Sequence, residues 1–421
     1  MSSELRPLLR FSVDSEQWNV KTFKELYAFH PTNSLSRDSL NYEHGQVKNI
    51  HYGDIHTKFA SIFDITNECV PYVDPDIELL RFKPNSYCKT GDLVVADASE
   101  DYKDIGKTIE ITNLNEEKVL AGLHTFLARP INDELELGFA AYLMQSWYVR
   151  KQVMTIAQGT KVLGISTSRL GNVELPIPHR DVQRKLSDFF NSVDTKIRQL
   201  TEKHRLLKEY KKGLIQQIFS QKIRFRDDDG EAFPKWTENR LDYFIERVSN
   251  PVDLVTGVEY REIGIRSHGK GIFHKNPVTS SDIGNKRVFW VKEKALVLNI
   301  VFAWERAVAV TSDSESGFIA SHRFPMYLPK ENRADVNYLL YFLLSPKGTR
   351  LLNIASPGGA GRNKTLGQSE FAKLKVCLPS IKEQQKITQF LQAIDSKIEG
   401  VGTQLEQIKQ FKKGLLQQMF V

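Results

Sequence analysis

The chain has 421 residues, a formal net charge of +7 and 41% hydrophobic residues, so it is long enough for two or more folding units. This composition excludes a disordered or collagen-like chain, and the apolar stretches are shorter than the roughly 20 residues of a membrane helix. The first residues lack the pattern of a signal peptide, and the scattered cysteines Cys69, Cys88 and Cys377 predict a reducing cytoplasm and no metal site.

The first predicted unit spans residues 1–177 and mixes two kinds of pattern. Strand-like runs rich in β-branched residues lie at 47–55, 93–96 and 108–111. A helical run near 138–156 follows them. The mixture predicts a globular α/β (α+β) domain.

A long helix is predicted next, within residues 178–221. Its apolar residues recur every three or four positions, which is the spacing of a coiled-coil seam. Pro178 marks the start, and residues 182–219 would extend about 57 Å at 1.5 Å per residue. The seam residues are Leu186, Phe190, Val193, Ile197, Leu200, Leu207, Leu214 and Ile218.

The second half of the chain repeats this order. A charged tract at 222–235 predicts a linker, and it opens the segment 222–377, which carries a second α/β unit with a helical run near 335–354. A second long helix is predicted within 378–421. Its seam residues are Ile387, Leu391, Ile394, Ile398, Val401, Leu405, Ile408, Leu415 and Met419.

The two helices are copies of one sequence. Residues 178–219 match residues 379–420 at a constant offset of 201, with 15 of 42 positions identical. Two matched seams favour packing of the helices on each other, while packing of each helix on its own domain stays an alternative.

Two identities within the repeat carry expectations of their own. Gly213 and Gly414 predict a close approach of the helices near their C-terminal ends. Lys211 and Lys412 interrupt the apolar line at the same place in both copies. We expect their stems to run along the seam while the ammonium groups reach solvent.

No set of residues spaced for catalysis is evident. The run GGAGRNKT at 358–365 imitates a phosphate loop, but Asn363 stands where the motif requires glycine. Pro75–Asp76 followed by Glu116–Glu117–Lys118 imitates a metal-dependent nuclease. That alternative predicts metal-dependent cutting by the isolated chain, abolished by Lys118→Ala. A weak match between the two halves places His124 opposite His322, and we expect both to be buried structural histidines.

The repeated helices point to a family. They share a proline, a glutamine, an Asp-x-Lys-Ile run and a Lys-Lys-Gly-Leu-x-Gln-Gln-x-Phe run, and each follows a globular unit. Together with IHYGDIHTKF at 50–59 and TGDLVVAD at 90–97, they resemble the specificity subunit of a type I restriction-modification system. The resemblance covers nearly the whole chain.

The resemblance implies a non-catalytic DNA-reading subunit without a cofactor of its own. Two target-recognition domains, separated by two long helices in an antiparallel coiled coil, would each read half of a bipartite DNA site. The helices would serve as a ruler and would dock two methyltransferase (M) subunits, which carry S-adenosylmethionine. Restriction/translocase (R) subunits, which use ATP and Mg, would join them. A coiled-coil adaptor that does not read DNA is the other alternative.

Basic and polar loops are the candidate DNA contacts, because Arg and Lys bind both phosphates and guanine edges. The candidates in the first half are Lys103, Lys107, Lys161 and Ser166. Those in the second half are Arg266, His268, Lys270, Arg306, Arg362 and Lys364.

Overall fold

The structure is a computed structural model that describes residues 7–11, 17–358 and 364–420. It divides into two compact units. Unit 1 comprises Met1–Thr201 and Thr403–Val421, and unit 2 comprises Glu202–Gly402. Each unit therefore contains one globular domain, the first half of the long helix that follows this domain, and the second half of the other long helix.

Unit 1 contains a series of short strands and helices. The strands are β1 (Asn19–Thr22), β2 (Tyr27–His30), β3 (Leu40–Asn41), β4 (Lys48–Ile50), β5 (Ile62–Asp64), β6 (Tyr72–Val73), β7 (Leu93–Ala96), β8 (Ala98–Ser99), β9 (Thr108–Asn113), β10 (Val119–Ala121), β11 (Thr125–Pro130), β12 (Leu163–Gly164) and β13 (Glu174–Ile177). The helices are α1 (Phe23–Leu26), α2 (Tyr52–Thr57), α3 (Phe139–Leu143), α4 (Trp147–Ile156), α5 (Thr167–Leu170) and the long α6 (Arg180–Phe219), which continues into unit 2.

A five-stranded sheet in the order β2-β11-β7-β9-β5 is central to unit 1, and only its β5–β9 pair is parallel. Successive side chains of β7 point to opposite faces. Leu93 and Val95 join the core that includes α3 and α4, whereas Val94 and Ala96 join a second core. Burial on both faces explains why this strand is wholly apolar.

The remaining strands of unit 1 form smaller sheets. One has the order β10-β4-β6-β3, and β8 pairs with β12. Strand β1 pairs antiparallel with β13, which directly precedes α6. The start of the domain is thereby joined to the start of its long helix.

Unit 2 is built from a comparable series. The strands are β14 (Thr237–Arg240), β15 (Ile245–Val248), β16 (Glu259–Tyr260), β17 (Ile263–Ile265), β18 (Ile272–His274), β19 (Val278–Thr279), β20 (Val288–Trp290), β21 (Leu296–Leu298), β22 (Val308–Val310), β23 (Ile319–Ser321), β24 (Met326–Pro329) and β25 (Lys375–Leu378). The helices are α7 (Leu241–Phe244), α8 (Ser280–Ile283), α9 (Val336–Leu344), α10 (Pro346–Ile354), α11 (Gln368–Lys373) and the long α12 (Ile381–Met419).

The sheet of unit 2 repeats the neighbour order of unit 1. Its order β15-β24-β21-β22 corresponds to β2-β11-β7-β9. Strand β14 pairs antiparallel with β25, which directly precedes α12, as β1 pairs with β13. The two mixed helix-and-strand domains confirm the predicted fold class.

One predicted strand is only partly correct. Within the strand-like run 47–55, pairing ends at Ile50 and α2 begins at Tyr52. The imidazole Nδ1 of His51 accepts the Gly53 N–H at 3.1 Å and caps this helix. The cap turns the chain out of the sheet.

The long helices run antiparallel within each unit. In unit 2, Lys211 of α6 forms an ion pair with Asp395 of α12, and a Cβ added to Gly402 would lie 3.5 Å from His204 Nε2. In unit 1, Lys412 pairs with Asp194. In these contacts, a higher residue number in one long helix thus goes with a lower residue number in the other. Every residue of the two predicted seams is buried or half-buried. Among the described helices, none combines the length and apolarity that a membrane crossing requires.

Two details of the helices and linker differ from the expectations. Apart from its chain neighbours and the nearby backbone of its own helix, a Cβ added to Gly213 or Gly414 would meet no described atom within 4 Å. The predicted close helix approach at these glycines is therefore wrong. The tract predicted as a linker packs onto α12, where Arg224 binds the fully buried Glu383 at 2.7 Å and Phe225 contacts Phe390.

Candidate nucleic-acid interface

Three loops of unit 1 meet at the end of β7. The Asp97 N–H donates to the His124 carbonyl at 3.1 Å, and the Asp97 carbonyl accepts the Ile165 N–H at 3.0 Å. The first loop follows β7, the second precedes β11 and the third follows α4. Backbone hydrogen bonds therefore fix three segments that are distant in sequence at one edge of the sheet.

Unit 2 has the same junction at the end of β21. The Ile300 N–H donates to the Arg323 carbonyl at 3.0 Å, and the Ile300 carbonyl accepts the Leu366 N–H at 2.8 Å. The structural counterpart of His124 is therefore Arg323. The sequence match had indicated His322 instead. The third loop contains the glycine-rich run, of which Arg362 lies outside the described residues.

The β17–β18 hairpin joins this junction in unit 2. The His268 N–H donates to the Glu305 carbonyl at 2.7 Å. His268 and Lys270 are exposed at the turn, and the exposed guanidinium of Arg266 lies 4.8 Å from the centre of the Phe273 ring. Stacking on the ring limits the freedom of this guanidinium and still leaves its donors available.

Arg306 and Lys364 complete the set of predicted cations in unit 2. Arg306 ends the turn after β21, and its carbonyl accepts the Gly269 N–H of the hairpin at 2.9 Å. The ammonium of Lys364 lies 5.4 Å from the centre of the Trp304 ring on the same loop. The structure thus brings five of the six candidates in this half onto loops that contact one another.

The candidates in unit 1 are arranged less uniformly. Lys103 and Lys161 are exposed on two of the three loops of the junction. Ser166 caps α5 by accepting the Arg169 N–H at 3.4 Å. Lys107 is half-buried and donates to the His56 carbonyl at 2.7 Å, and burial lowers its pKa. Its ammonium therefore joins the loop to α2.

A cluster of aromatic and imidazole side chains beside this junction was not predicted. The ring of Tyr52 lies 5.3 Å from that of His124 and 6.0 Å from that of His56. His124 Nδ1 lies 3.2 Å from Asp97 Oδ1, and burial raises the pKa of this carboxyl group. His124 and His322 are exposed, so the expectation of buried histidines is wrong. The histidines and tyrosine of IHYGDIHTKF were the available signal.

Unusual backbone conformations mark the same loops. His124, His268 and Arg306 have φ values of 55°, 62° and 63°. Non-glycine residues seldom adopt this left-handed region, and the cost is tolerated where the surrounding structure imposes it. All three residues are held by the loop hydrogen bonds described above, so their side chains project from fixed positions.

The repeated Asp and Lys residues of the long helices form a polar contact in each unit. In unit 1, Lys412 Nζ lies 2.7 Å from Asp194 Oδ1, and the Tyr142 hydroxyl of α3 donates to Asp194 Oδ2 at 3.0 Å. Burial and the neighbouring carboxylate raise the pKa of Tyr142. Each contact joins both long helices to a helix of the globular domain.

In unit 2, Lys211 pairs with Asp395, which accepts from the Tyr341 hydroxyl of α9 at 2.6 Å. The expectation that Lys211 and Lys412 extend into solvent is wrong, because each ammonium binds an aspartate of the opposite helix. The seam therefore contains one matched ion pair per unit.

The described residues contain no group of three or more His, Cys, Asp or Glu side chains that could hold a metal ion. Glu117, from the nuclease-like pattern, pairs with Lys48 at 2.6 Å. Asp76, from the other part of that pattern, is exposed. The nuclease hypothesis gains no support from this geometry.

Comparisons with known proteins agree with the specificity-subunit resemblance. A family model described as "Type I restriction modification DNA specificity domain" matches residues 258–410. The chain is 21% identical over 423 residues to a putative type I restriction enzyme MjaX specificity subunit of Methanocaldococcus jannaschii, covering 95% of this chain and 92% of that protein. It is 21% identical over 314 residues to the MjaVIII specificity subunit of the same organism, covering 68% and 69%.

The fold is also similar to a solved structure. The crystal structure of a type I restriction-modification S subunit from M. genitalium superposes with a TM-score of 0.58 at 13% identity, covering 99% of both chains. These comparisons favour the specificity-subunit hypothesis over the adaptor and nuclease alternatives.

Proposed function

Because the chain belongs to the family of type I restriction-modification specificity subunits, we propose that its two units read the two halves of a bipartite DNA site. The matched loop junctions at Asp97 and Ile300 carry this proposal. Both junctions present basic or imidazole side chains from fixed backbone positions, as base-edge contacts require. The loops themselves differ between the units, so the two half-sites are expected to differ.

We further propose that the chain has no catalytic residue and works in a larger assembly. Two M subunits with S-adenosylmethionine would dock on the long helices and methylate the target adenine. R subunits with ATP and Mg would join them. The assembly would act on DNA in the cytoplasm.

Mapping adenine methylation in native cells tests the reading of half-sites. Arg266→Ala with His268→Ala is expected to relax the sequence requirement in one half-site only. Lys161→Ala is expected to affect the other half-site. A well-placed side chain contributes about 1–3 kcal/mol of discrimination against a wrong base. Lys373→Ala, an exposed lysine of α11, is the control and should leave the methylated sequence unchanged.

The result would contradict the proposal if both sets of variants altered the same half-site, or if neither altered the sequence. Purification through a tag on this chain supplies an independent check of the partners. Two M subunits per chain are expected, and recovery of proteins unrelated to DNA modification would argue against the assembly.

The helices as a ruler can be tested by a matched deletion. Seven residues would be removed between the polar contacts of each helix, from 200–206 and from 401–407, so that both ion pairs are kept. Each helix then shortens by about 10 Å at 1.5 Å per residue, which corresponds to about three base pairs at 3.4 Å per step. We expect the unread spacer to shorten by this amount, and an unchanged spacer would refute the ruler.

A further inference from the structure

A cavity of about 450 Å³ in unit 2 is lined by cations from two separate elements. The second half of α6 contributes Lys208, Lys211 and Lys212, and the loop after β21 contributes Arg306. Leu344, at the end of α9, forms part of the apolar wall. The lining includes no carboxylate, so the charged groups facing the cavity have one sign.

Only one of these four cations is paired within the described part of the chain. Lys211 binds Asp395, whereas no carboxylate of the described residues lies within 4.0 Å of the charged groups of Lys208, Lys212 and Arg306. Lys208 and Lys212 are one helical turn apart, an arrangement in which like charges repel. The three unpaired groups therefore leave a net positive charge that an anion would relieve.

The second copy of the repeat, whose C-terminal half lies in unit 1, does not fully duplicate this charge. The counterpart of Lys208 is Lys409, whose ammonium lies 3.2 Å from Glu406. Lys412, the counterpart of Lys211, is paired with Asp194. Among the lysines that line the cavity, Lys208 is therefore the one whose pairing differs from that of its counterpart in the described residues, because Lys211 and Lys412 are both paired.

The cavity adjoins the loops that carry the candidate DNA contacts. Arg306 accepts the Gly269 N–H of the β17–β18 hairpin at 2.9 Å. A Cβ added to Gly269 would lie 3.0 Å from Leu344 Cδ2, so the hairpin turn packs against the cavity wall. His268 and Lys270 are exposed on that turn. The positive surface therefore continues from α6 to the hairpin.

We propose that this cavity binds a backbone phosphate of the DNA whose bases the neighbouring loops read. Arg306 and the two lysines would anchor the phosphate, and the anchor would fix how the hairpin of unit 2 approaches the groove. The coiled coil would then contribute to DNA binding directly, besides holding the domains. This inference rests on the proposed function and adds a phosphate site on α6 to it.

The salt dependence of DNA binding tests the site. The assembled complex, purified through a tag on the full chain, is titrated with a mixed-sequence DNA duplex at several salt concentrations. Each phosphate contact contributes a slope of about 0.9 to log Kd against log salt. Lys208→Gln with Lys212→Gln is expected to weaken binding and to lower this slope by up to about 0.9, the contribution of one phosphate.

A matched control keeps the charge change equal. Each residue of a helix is rotated by about 100° from the one before it, so Lys203, nine positions before Lys212, lies on the opposite side of α6. Lys222 follows this helix in the chain. Both are exposed in unit 2. Lys203→Gln with Lys222→Gln should leave the slope within about 0.5 of the original. Arg306→Asn tests the cavity from the globular side, since Asn tolerates the left-handed backbone, and should lower the slope as well.

Equal slopes for the cavity and control variants would overturn the inference while leaving the proposed function intact. Loss of the M subunits from the tagged complex, with the DNA slope unchanged, would also overturn it, because the cavity would then bind an acidic protein surface. If the unaltered complex bound no DNA at any salt concentration, the proposed function itself would fail. Thermal unfolding of each variant checks that folding is retained.

Discussion

Gln183 provides the sharpest test of how the globular domain of unit 1 is fixed to α6. Its side chain is 1% exposed and forms three hydrogen bonds. The amide oxygen accepts the Glu136 N–H at 2.8 Å, and the amide nitrogen donates to the carbonyls of Glu134 at 3.2 Å and Pro178 at 3.0 Å. One side chain thus satisfies three backbone groups, two of which lie just before α3 and one just before α6.

Gln183→Ala removes all three bonds at once. Each buried backbone group left without a partner costs about 1–3 kcal/mol. Residues Glu134 and Glu136 are half-buried, so water will recover part of this loss. We therefore expect the free energy of unfolding to fall by about 3 kcal/mol, near the lower end of the range obtained by adding the costs of the three lost hydrogen bonds.

Denaturant unfolding and amide hydrogen exchange measure the effect. The Glu136 amide is expected to exchange faster in the variant because its acceptor is gone. Gln199→Ala is the control, since Gln199 is exposed on the same helix, and it should change stability by less than about 0.5 kcal/mol. A loss for Gln183→Ala no larger than the control, or an unchanged exchange rate at Glu136, would refute the reasoning.

Three further predictions follow from the long helices and the core. Gly213→Ala and Gly414→Ala should each raise the free energy of unfolding by about 1 kcal/mol, because an added Cβ meets no described atom within 4 Å beyond its chain neighbours and the nearby backbone of its own helix. Thermal unfolding checks this, and a loss of stability would contradict it. A double-mutant cycle with Lys412→Met and Asp194→Asn should give a coupling energy of about 1–2 kcal/mol. This value lies between the coupling energies of surface ion pairs and those of buried ion pairs, because the two side chains are 16% and 29% exposed. A coupling energy below about 0.3 kcal/mol would refute this prediction. Burial raises the pKa of Glu110 to about 7 from 4.5, so between these pH values the native state holds a proton that the unfolded state has released. The free energy of unfolding of the wild type should therefore fall by up to about 3 kcal/mol relative to that of Glu110→Gln as the pH rises from 4.5 to 8. Equal pH profiles of the two proteins in denaturant unfolding would contradict this.

Local patterns predicted the long helices correctly because the signal lies within the helices. The spacing of Leu186, Phe190 and Val193 reflects which face of α6 is covered, and it is visible without knowing the partner. The 39 residues of α12 could be predicted in the same way. Strand β7 was also visible, since burial on both faces leaves an uninterrupted apolar run.

Features that depend on distant partners were predicted less well. Lys412 looked like an exposed stem because neither Asp194 nor Tyr142 is near it in sequence. His124 was expected to be buried, yet its position depends on a hydrogen bond from Asp97, which lies 27 residues away. Sequence periodicity describes one face of one element and carries no information about such pairings. The DNA contacts among the loops accordingly stay predictions.

Three identical positions of the two helix copies contact the globular domains: the glutamine, the aspartate and the last phenylalanine. Gln384 repeats the bonds of Gln183 by accepting the Asp335 N–H at 2.9 Å and donating to the carbonyls of Arg333 and Pro379. At the other end of each helix, Phe219 packs on Tyr338 and Phe342 of unit 2, and Phe420 packs on Trp18, Phe139 and Phe190 of unit 1.

Each helix therefore begins against the domain that precedes it and ends in the core of the other unit. A substitution at Phe219 should consequently destabilise unit 2, although the residue belongs to the helix that follows the first domain. Both copies keep the same glutamine, aspartate and phenylalanine because each unit presents backbone groups, a tyrosine hydroxyl and aromatic rings to them, and both keep the lysine because it pairs with the aspartate of the opposite helix. The loops at Asp97 and Ile300 share only backbone bonds, which any side chain allows, so the residues that face outward are free to differ between the halves. That freedom is what the two different half-sites proposed for this chain would require of one repeated scaffold.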